Sequence, residues 1–210
     1  MYCPPTKHNC ALDTRVLNPR YMAPPTIIFL NGTSSAGKTS IAHALQKIMD
    51  EPYLYFASDA FRPMLPPYRE ELGWDVDAVW DTLRYGFYKC IAAMYETGNS
   101  LVADHSITRP HLLRACAVTL APCRAYFVGV YCPFEVAEQR ERERESATIG
   151  LAKEHFDRVH QHGIYDLTVD TSQLTPEESA RQIADFVASQ KPTAFGQLCS
   201  APHTNLRTTP

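Results

Sequence analysis

The chain has 210 residues, 45% of them hydrophobic and 20% charged, with a formal net charge of −3. That is enough for one domain with a substantial core. The mildly acidic balance, without a basic block, argues against duplex DNA or an anionic membrane surface as the main partner. Cysteine occurs 7 times, never as Cys-x-x-Cys; no apolar run is long enough for a bilayer and no charged-then-apolar leader is present. Reduced thiols and a cytoplasmic location are the expectation.

Residues 1–23 carry Pro4, Pro5 and Pro19 among polar residues without periodicity. They read as a loosely docked or disordered tail, with Met22 an alternative start of translation. The domain proper is expected over 24–190, with a second flexible tail over 191–210. Ile27-Ile28-Phe29-Leu30 reads as a buried strand. Ile41, Leu45, Ile48 and Met49 then recur at helical spacing until Glu51-Pro52 stops the helix.

Tyr53 to Ala57 is a second strand ending at Ser58-Asp59, and its aromatics read as core. Residues 60–76, with Pro63, Pro66, Pro67 and Trp74, suit an irregular or short-helical excursion. A long helix from about Val76 to Glu96 carries Val79, Leu83, Phe87, Ile91 and Met94 on one face and ends at Gly98. Ser100 to Ala103 is a third strand ending at Asp104, followed by a helix over 109–120. Arg124 to Tyr131 is the fourth strand, and Pro133 opens a helix. Another helix covers about 150–161, Leu167 to Asp170 is the fifth strand, and Pro176 to Ser189 is the closing helix. Strand and helix alternate, so the expected fold is an α/β domain with a parallel sheet. Ligands in such sheets sit at the carboxyl ends of the strands, where Lys38, Asp59 and Asp104 fall.

The stretch between the first strand and its helix carries the chemistry. Gly32-Thr33-Ser34-Ser35-Ala36-Gly37-Lys38-Thr39, with Ser40 behind it, fits G-x-x-x-x-G-K-[ST] in the required setting of strand, loop and helix. Glycines let the backbone turn and approach a phosphate closely. Loop amides and the helix N-terminus offer N–H donors and positive dipole to the β-phosphate. Lys38 suits the β- and γ-phosphate oxygens, and the Thr39 hydroxyl suits Mg²⁺. ATP and Mg²⁺ are therefore the expected ligands of residues 32–40.

Phosphoryl transfer needs a carboxylate to take the acceptor proton, and often another to orient the metal. Asp59 is the candidate base and Asp104 the metal-side carboxylate; the plain alternative for each is a capping or turn aspartate. The run Glu138-Gln-Arg-Glu-Arg-Glu-Arg-Glu145 puts Arg140 and Arg144 one helical turn apart. Like charges at that spacing repel by a few tenths of a kcal/mol, only partly offset by pairs such as Arg140 with Glu143. An arginine lid over a triphosphate explains the pattern; the alternative is a solvated face. The histidines show no zinc spacing with cysteines, His105 beside Asp104 being the one of interest. Tyr68, Trp74 and Trp80 are candidates for an acceptor pocket.

With those residues in view, the chain resembles the chloramphenicol phosphotransferase-like family of P-loop kinases. The resemblance rests on the phosphate loop and on Glu51-Pro52-Tyr53 and Phe56-x-x-Asp59 behind it. It continues in Val128-Gly129-Val130-x-Cys132, Ala137-Glu138-x-Arg140-Glu141, Gly150-Leu151-Ala152, His160, Tyr165-Asp166 and Val169-Asp170-Thr171, over about residues 26–188. It implies a P-loop NTPase of nucleoside-kinase type: five parallel strands, flanking helices and an arginine-bearing helical lid. It also implies ATP-dependent transfer of the γ-phosphate to a hydroxyl of a small molecule, a chloramphenicol-like antibiotic or another metabolite, with Asp59 as base. Two departures stand out. The family's Arg-Gly-Asp-Arg lid pattern appears as Arg144-Glu145-Ser146-Ala147, which leaves Arg140 or Arg142 to replace the missing arginine. The segment after Asp59 is shorter and differently composed. A nucleoside, nucleotide or sugar kinase of the same fold and a non-catalytic nucleotide-binding module are the alternatives; Asn-Lys-x-Asp, which a GTPase switch would carry, is absent.

Overall fold

A computed structural model describes residues 24–66, 72–144 and 149–201. Five strands form one parallel sheet: β1 (Ile27–Asn31), β2 (Tyr53–Ala57), β3 (Ser100–His105), β4 (Ala125–Tyr131) and β5 (Leu167–Asp170), in the spatial order β2-β3-β1-β4-β5. The helices are α1 (Lys38–Ile48), α2 (Val76–Glu96), α3 (Pro110–Leu120), α4 (Phe134–Glu143), α5 (Leu151–Val159), α6 (Pro176–Ser189) and α7 (Ala194–Ser200). A 3₁₀ helix over Ser58–Met64 follows β2.

The central strand β1 is buried along its whole length, as its continuous apolar run requires of a strand covered on both faces. Its side chains alternate between two cores. Ile27 and Phe29 face α2, α3 and α7, packing with Phe87, Leu113 and Phe195. Ile28 and Leu30 face α1 and α6, packing with Ile41, Leu45 and Ile183. β1 pairs with β3 on one side and β4 on the other, in register Leu30↔Asp104 and Leu30↔Val128. Because β2 and β3 lie on one side of β1 and β4 and β5 on the other, connections leave in opposite directions and open a crevice at the strand ends.

Two sequence expectations need correction. Residues 191–210 do not form a tail throughout: Ala194, Phe195 and Leu198 are buried in the core. Asp166 is the physical reason. Its Oδ1 accepts from the amides of Thr193 and Ala194 at 2.6 and 3.0 Å, and its Oδ2 from Phe127 N at 2.9 Å, so one carboxylate caps α7 and ties it to β4. Residues 202–210, and the N-terminal tail with Met22, lie outside the described residues. Secondly, the apolar stripe of α2 does not enter the core along its length. Phe87 and Ile91 are fully buried, whereas Val79 is 38% exposed.

Candidate functional site

Each glycine of the phosphate loop has its own reason. A Cβ on Gly32 would collide with the Val130 carbonyl of β4, so close strand packing excludes any side chain there. Gly37 takes φ 94° at the N-cap of α1, the left-handed region. Ser35, which is not glycine, also has φ 60°, and such strain gathers at binding loops. No side chain caps α1, so the amides of its first turn stay turned to the crevice. By contrast α6 carries a full capping box from Thr175 and Glu178.

The remaining loop residues are held from several elements. Thr33 is buried and donates to the Ala152 carbonyl of α5 at 3.0 Å. The Ala36 carbonyl accepts from Thr171 Oγ1 at 2.9 Å. Lys38 is 8% exposed, and its ammonium donates to the Gly32 and Thr33 carbonyls at 3.0 and 2.8 Å and to Ser106 Oγ at 3.2 Å. Ser34, Ser35, Gly37, Lys38, Thr39 and Ser40 all border one cavity of about 960 Å³.

Asp104 lies beneath Lys38, 8% exposed, with an oxygen 3.8 Å from its ammonium. Its Oδ2 accepts from Thr39 Oγ1 at 2.9 Å and from Tyr55 Oη at 3.0 Å, so it is neither a cap nor a turn residue. Of the β2 aromatics Tyr53 is buried, while Phe56 and Tyr55 are partly buried and pack against the two cores; Tyr55 also turns its hydroxyl to the site. Burial, with the neighbouring Asp104 charge, pushes the Tyr55 hydroxyl well above its ordinary value, which keeps it a donor at neutral pH. The Thr39 hydroxyl and the Asp104 carboxylate are hard oxygen donors of the kind Mg²⁺ takes alongside waters and phosphates. The pair fits that ion, and among the described residues no group of three or more His, Cys, Asp or Glu could hold a metal.

Asp59 is exposed at the first turn of the 3₁₀ helix and borders the same cavity. Next to it, His105 Nδ1 lies 2.8 Å from Ser58 Oγ, fixing the end of β2 to the end of β3. Burial pushes His105 well below its ordinary value, with the Arg84 and Lys38 charges acting in the same direction, so the ring is neutral. Trp80 borders the cavity, Trp74 does not, and Tyr68 lies outside the described residues.

The arginine run folds differently from its expected helix. α4 stops at Glu143, and Arg144 takes an extended conformation (φ −95°, ψ 112°), so Arg140 and Arg144 do not share a helical face. Both still border the cavity. Arg140 donates to Thr171 Oγ1 and the Thr171 carbonyl, each at 2.9 Å. Arg142 pairs with Glu138 at 3.1 Å on the exposed side and does not border the cavity. Glu141 turns inward, 2% exposed, and accepts from the amides of Gly150 and Ala152 at 2.8 Å each, closing the N-terminus of α5. Glu145, Ser146 and Ala147 lie outside the described residues. Sequence reasoning missed Tyr55, Ser106, Thr171 and Glu141 as parts of this assembly; a hydroxyl or carboxylate beside a strand or helix end was their one signal.

The profile of the chloramphenicol phosphotransferase-like protein family matches residues 25–188. A Mycobacterium tuberculosis protein provisionally assigned as an O-phosphotransferase is 32% identical over 196 residues, covering 82% of this chain and 87% of its own length. Among solved structures, the chain is similar to an unliganded sugar kinase from Janibacter sp. (TM-score 0.60, 17% identity, 79% of this chain and 95% of that one). It is likewise similar to the Mycobacterium tuberculosis APS kinase in complex with AMPPNP and APS (TM-score 0.60, 12% identity, 79% and 98%). Those two likenesses show the P-loop kinase fold. By profile and by sequence identity, the chain belongs to the chloramphenicol phosphotransferase-like family.

Proposed function

We propose that the protein is an ATP- and Mg²⁺-dependent kinase that transfers the γ-phosphate to a hydroxyl of a small molecule, an antibiotic or a metabolite. Membership of a phosphotransferase-like family supports phosphotransferase chemistry. The observation that carries the finer reading is that one cavity is bordered at once by Lys38 and Thr39, by Asp59, and by Arg140 and Arg144. Donor and acceptor can therefore meet without crossing the sheet.

In this reading the amides of residues 33–40 hold the β-phosphate. Lys38 leaves its loop carbonyls to bridge the β- and γ-phosphates. Asp59 accepts the proton of the acceptor hydroxyl as that oxygen bonds to phosphorus, and the bond from phosphorus to the ADP oxygen breaks. Arg140 and Arg144 face the charge on the moving phosphoryl group. Thr39 and Asp104 would hold Mg²⁺, which supplies charge neutralisation between the phosphates. We place the enzyme in the cytoplasm, where ATP is available. The described cysteines, Cys90, Cys116, Cys123, Cys132 and Cys199, are all free thiols, and no helix among the described residues is long and apolar enough to cross a membrane.

The test is label transfer from γ-labelled ATP to a panel of hydroxylated compounds, with wild type and Asp59→Asn. Loss of a general base costs about 10²–10⁴ in rate, so Asp59→Asn should fall by at least that lower bound and keep its ATP affinity. Equal transfer rates would dismiss Asp59 as the base; no ATP affinity in the wild type would dismiss the kinase reading.

A further inference from the structure

The cavity is also bordered by a charge arrangement that the reaction itself does not need. Arg62 follows Asp59 by three residues in the 3₁₀ helix Ser58–Met64, where positions three apart eclipse. Arg84 comes from α2, and both arginines border the cavity. Their guanidinium carbons lie 5.9 and 5.5 Å from the centre of the Trp80 ring, so both planar cations rest against one aromatic side chain.

Among the described residues Arg84 has one carboxylate contact, Nη1 on Asp81 Oδ1 at 3.2 Å. Asp81 is already engaged elsewhere: Arg109 Nη1 reaches both its oxygens at 3.1 and 3.0 Å, and His111 Nε2 lies 2.6 Å from Oδ2. Burial would raise the Asp81 carboxyl, but the His111 and Arg109 contacts hold it below its ordinary value. Its charge is thus shared among three basic side chains. Among the described residues that border the cavity away from the phosphate loop and α4, Arg62 and Arg84 stand against Asp59, an excess of positive charge flanked by Leu83 and Phe87.

We propose that the acceptor carries an anionic oxyacid group, carboxylate or phosphate, gripped by Arg62 and Arg84 while its hydroxyl meets Asp59. The proposal rests on the kinase reading above and names the substrate class of that site. Planar guanidinium forks match two oxygens of such a group. A neutral acceptor would instead cover two cations without pairing them, at a desolvation cost.

The experiment compares matched pairs of acceptors with labelled ATP: hydroxylated carboxylic acids against their amides, and hydroxylated phosphate monoesters against the dephosphorylated alcohols. The two families of pairs distinguish carboxylate from phosphate. The best anion should exceed its neutral counterpart at least tenfold in kcat/KM. Arg62→Gln and Arg84→Gln should each raise the KM for the anion severalfold and bring the ratio toward one. A neutral counterpart used as well as the anion, or a ratio that survives both substitutions, overturns the proposal. If ATP binds and no acceptor of either charge is phosphorylated, the kinase reading fails separately. The anion site is then judged by thermal shift of the ADP complex with the same acids. A shift that Arg62→Gln/Arg84→Gln abolishes upholds the site, and no shift in the wild type overturns it.

Discussion

The hydroxyl of Thr33 donates to the carbonyl of Ala152 across 119 positions of sequence, at 3.0 Å and away from solvent. The phosphate loop and the first turn of α5 are thereby joined, and Asn31 repeats the device at the other end of α5 by donating to the Val159 carbonyl at 3.0 Å. Thr33→Val keeps the shape and removes the donor. A net hydrogen bond is worth about 1 kcal/mol, so urea unfolding should show a loss of that order. An unchanged midpoint would mean that the contact is not held in solution.

Phe195 stacks on Phe127 with ring centres 4.7 Å apart and meets Phe29 edge-on at 6.0 Å. Phe195→Ala should lower unfolding free energy by about 3–5 kcal/mol, the range for a buried aromatic. A chain ending at residue 190 should be destabilised at least as much. If that truncated chain melts like the full one, α7 is not part of the core.

His160 and His162 are both lowered to about 4, by burial first of all. The His162 Nδ1 accepts from Ile164 N at 3.1 Å, a bond that a protonated ring at that nitrogen could not receive. In the unfolded chain each histidine titrates near 6.5. Between pH 6.5 and 4 the unfolded state therefore binds more protons than the folded one. Stability is complete above this window and falls as pH drops through it, with a limiting slope of about 1.4 kcal/mol per histidine per pH unit, reduced in practice by partial solvent access. Urea titrations at pH 7.5 and 5.0 measure the drop, and His162→Phe should make it smaller. An equal drop in the variant would remove His162 as a contributor.

Glu141→Ala should cost about 1–2 kcal/mol, as for other lost helix caps, and speed hydrogen exchange at the amides of Gly150 and Ala152. Glu141→Gln, which keeps an acceptor, should lie between the two. Exchange at Gly150 that ignores both substitutions would show that this carboxylate is not the cap.

The parts of the fold that could be read beforehand are those governed by neighbours in sequence. The run Ile27–Leu30, the glycine spacing and the first apolar turns of α1 specify strand, loop and helix locally, and the ends of the apolar runs located Asp59 and Asp104. What escaped reading depends on distant partners. Tyr55 sits in an aromatic strand like any core residue until β3 brings Asp104 within 3.0 Å of its hydroxyl. The alternating charges of 138–145 look equivalent along the chain, yet a helical period sends Glu141 inward and Arg142 outward. Docking of 194–200 depends on Asp166, nearly thirty positions earlier, and nothing in the polar composition around it announces the contact. The family resemblance had no such dependence on distance, because its motifs are spread over the length that the family profile matches.

The ammonium of Lys38 has three acceptors within the protein: two carbonyls of its own loop and Ser106 Oγ, which in turn donates to the Gly32 carbonyl at 2.7 Å. These bonds hold the loop in one shape around its own cation, which leaves less ordering entropy to subtract from nucleotide affinity. Nucleotide binding becomes an exchange of oxygen partners around one nitrogen rather than the folding of a segment. Its heat-capacity change should accordingly be small for the area covered, and its association fast.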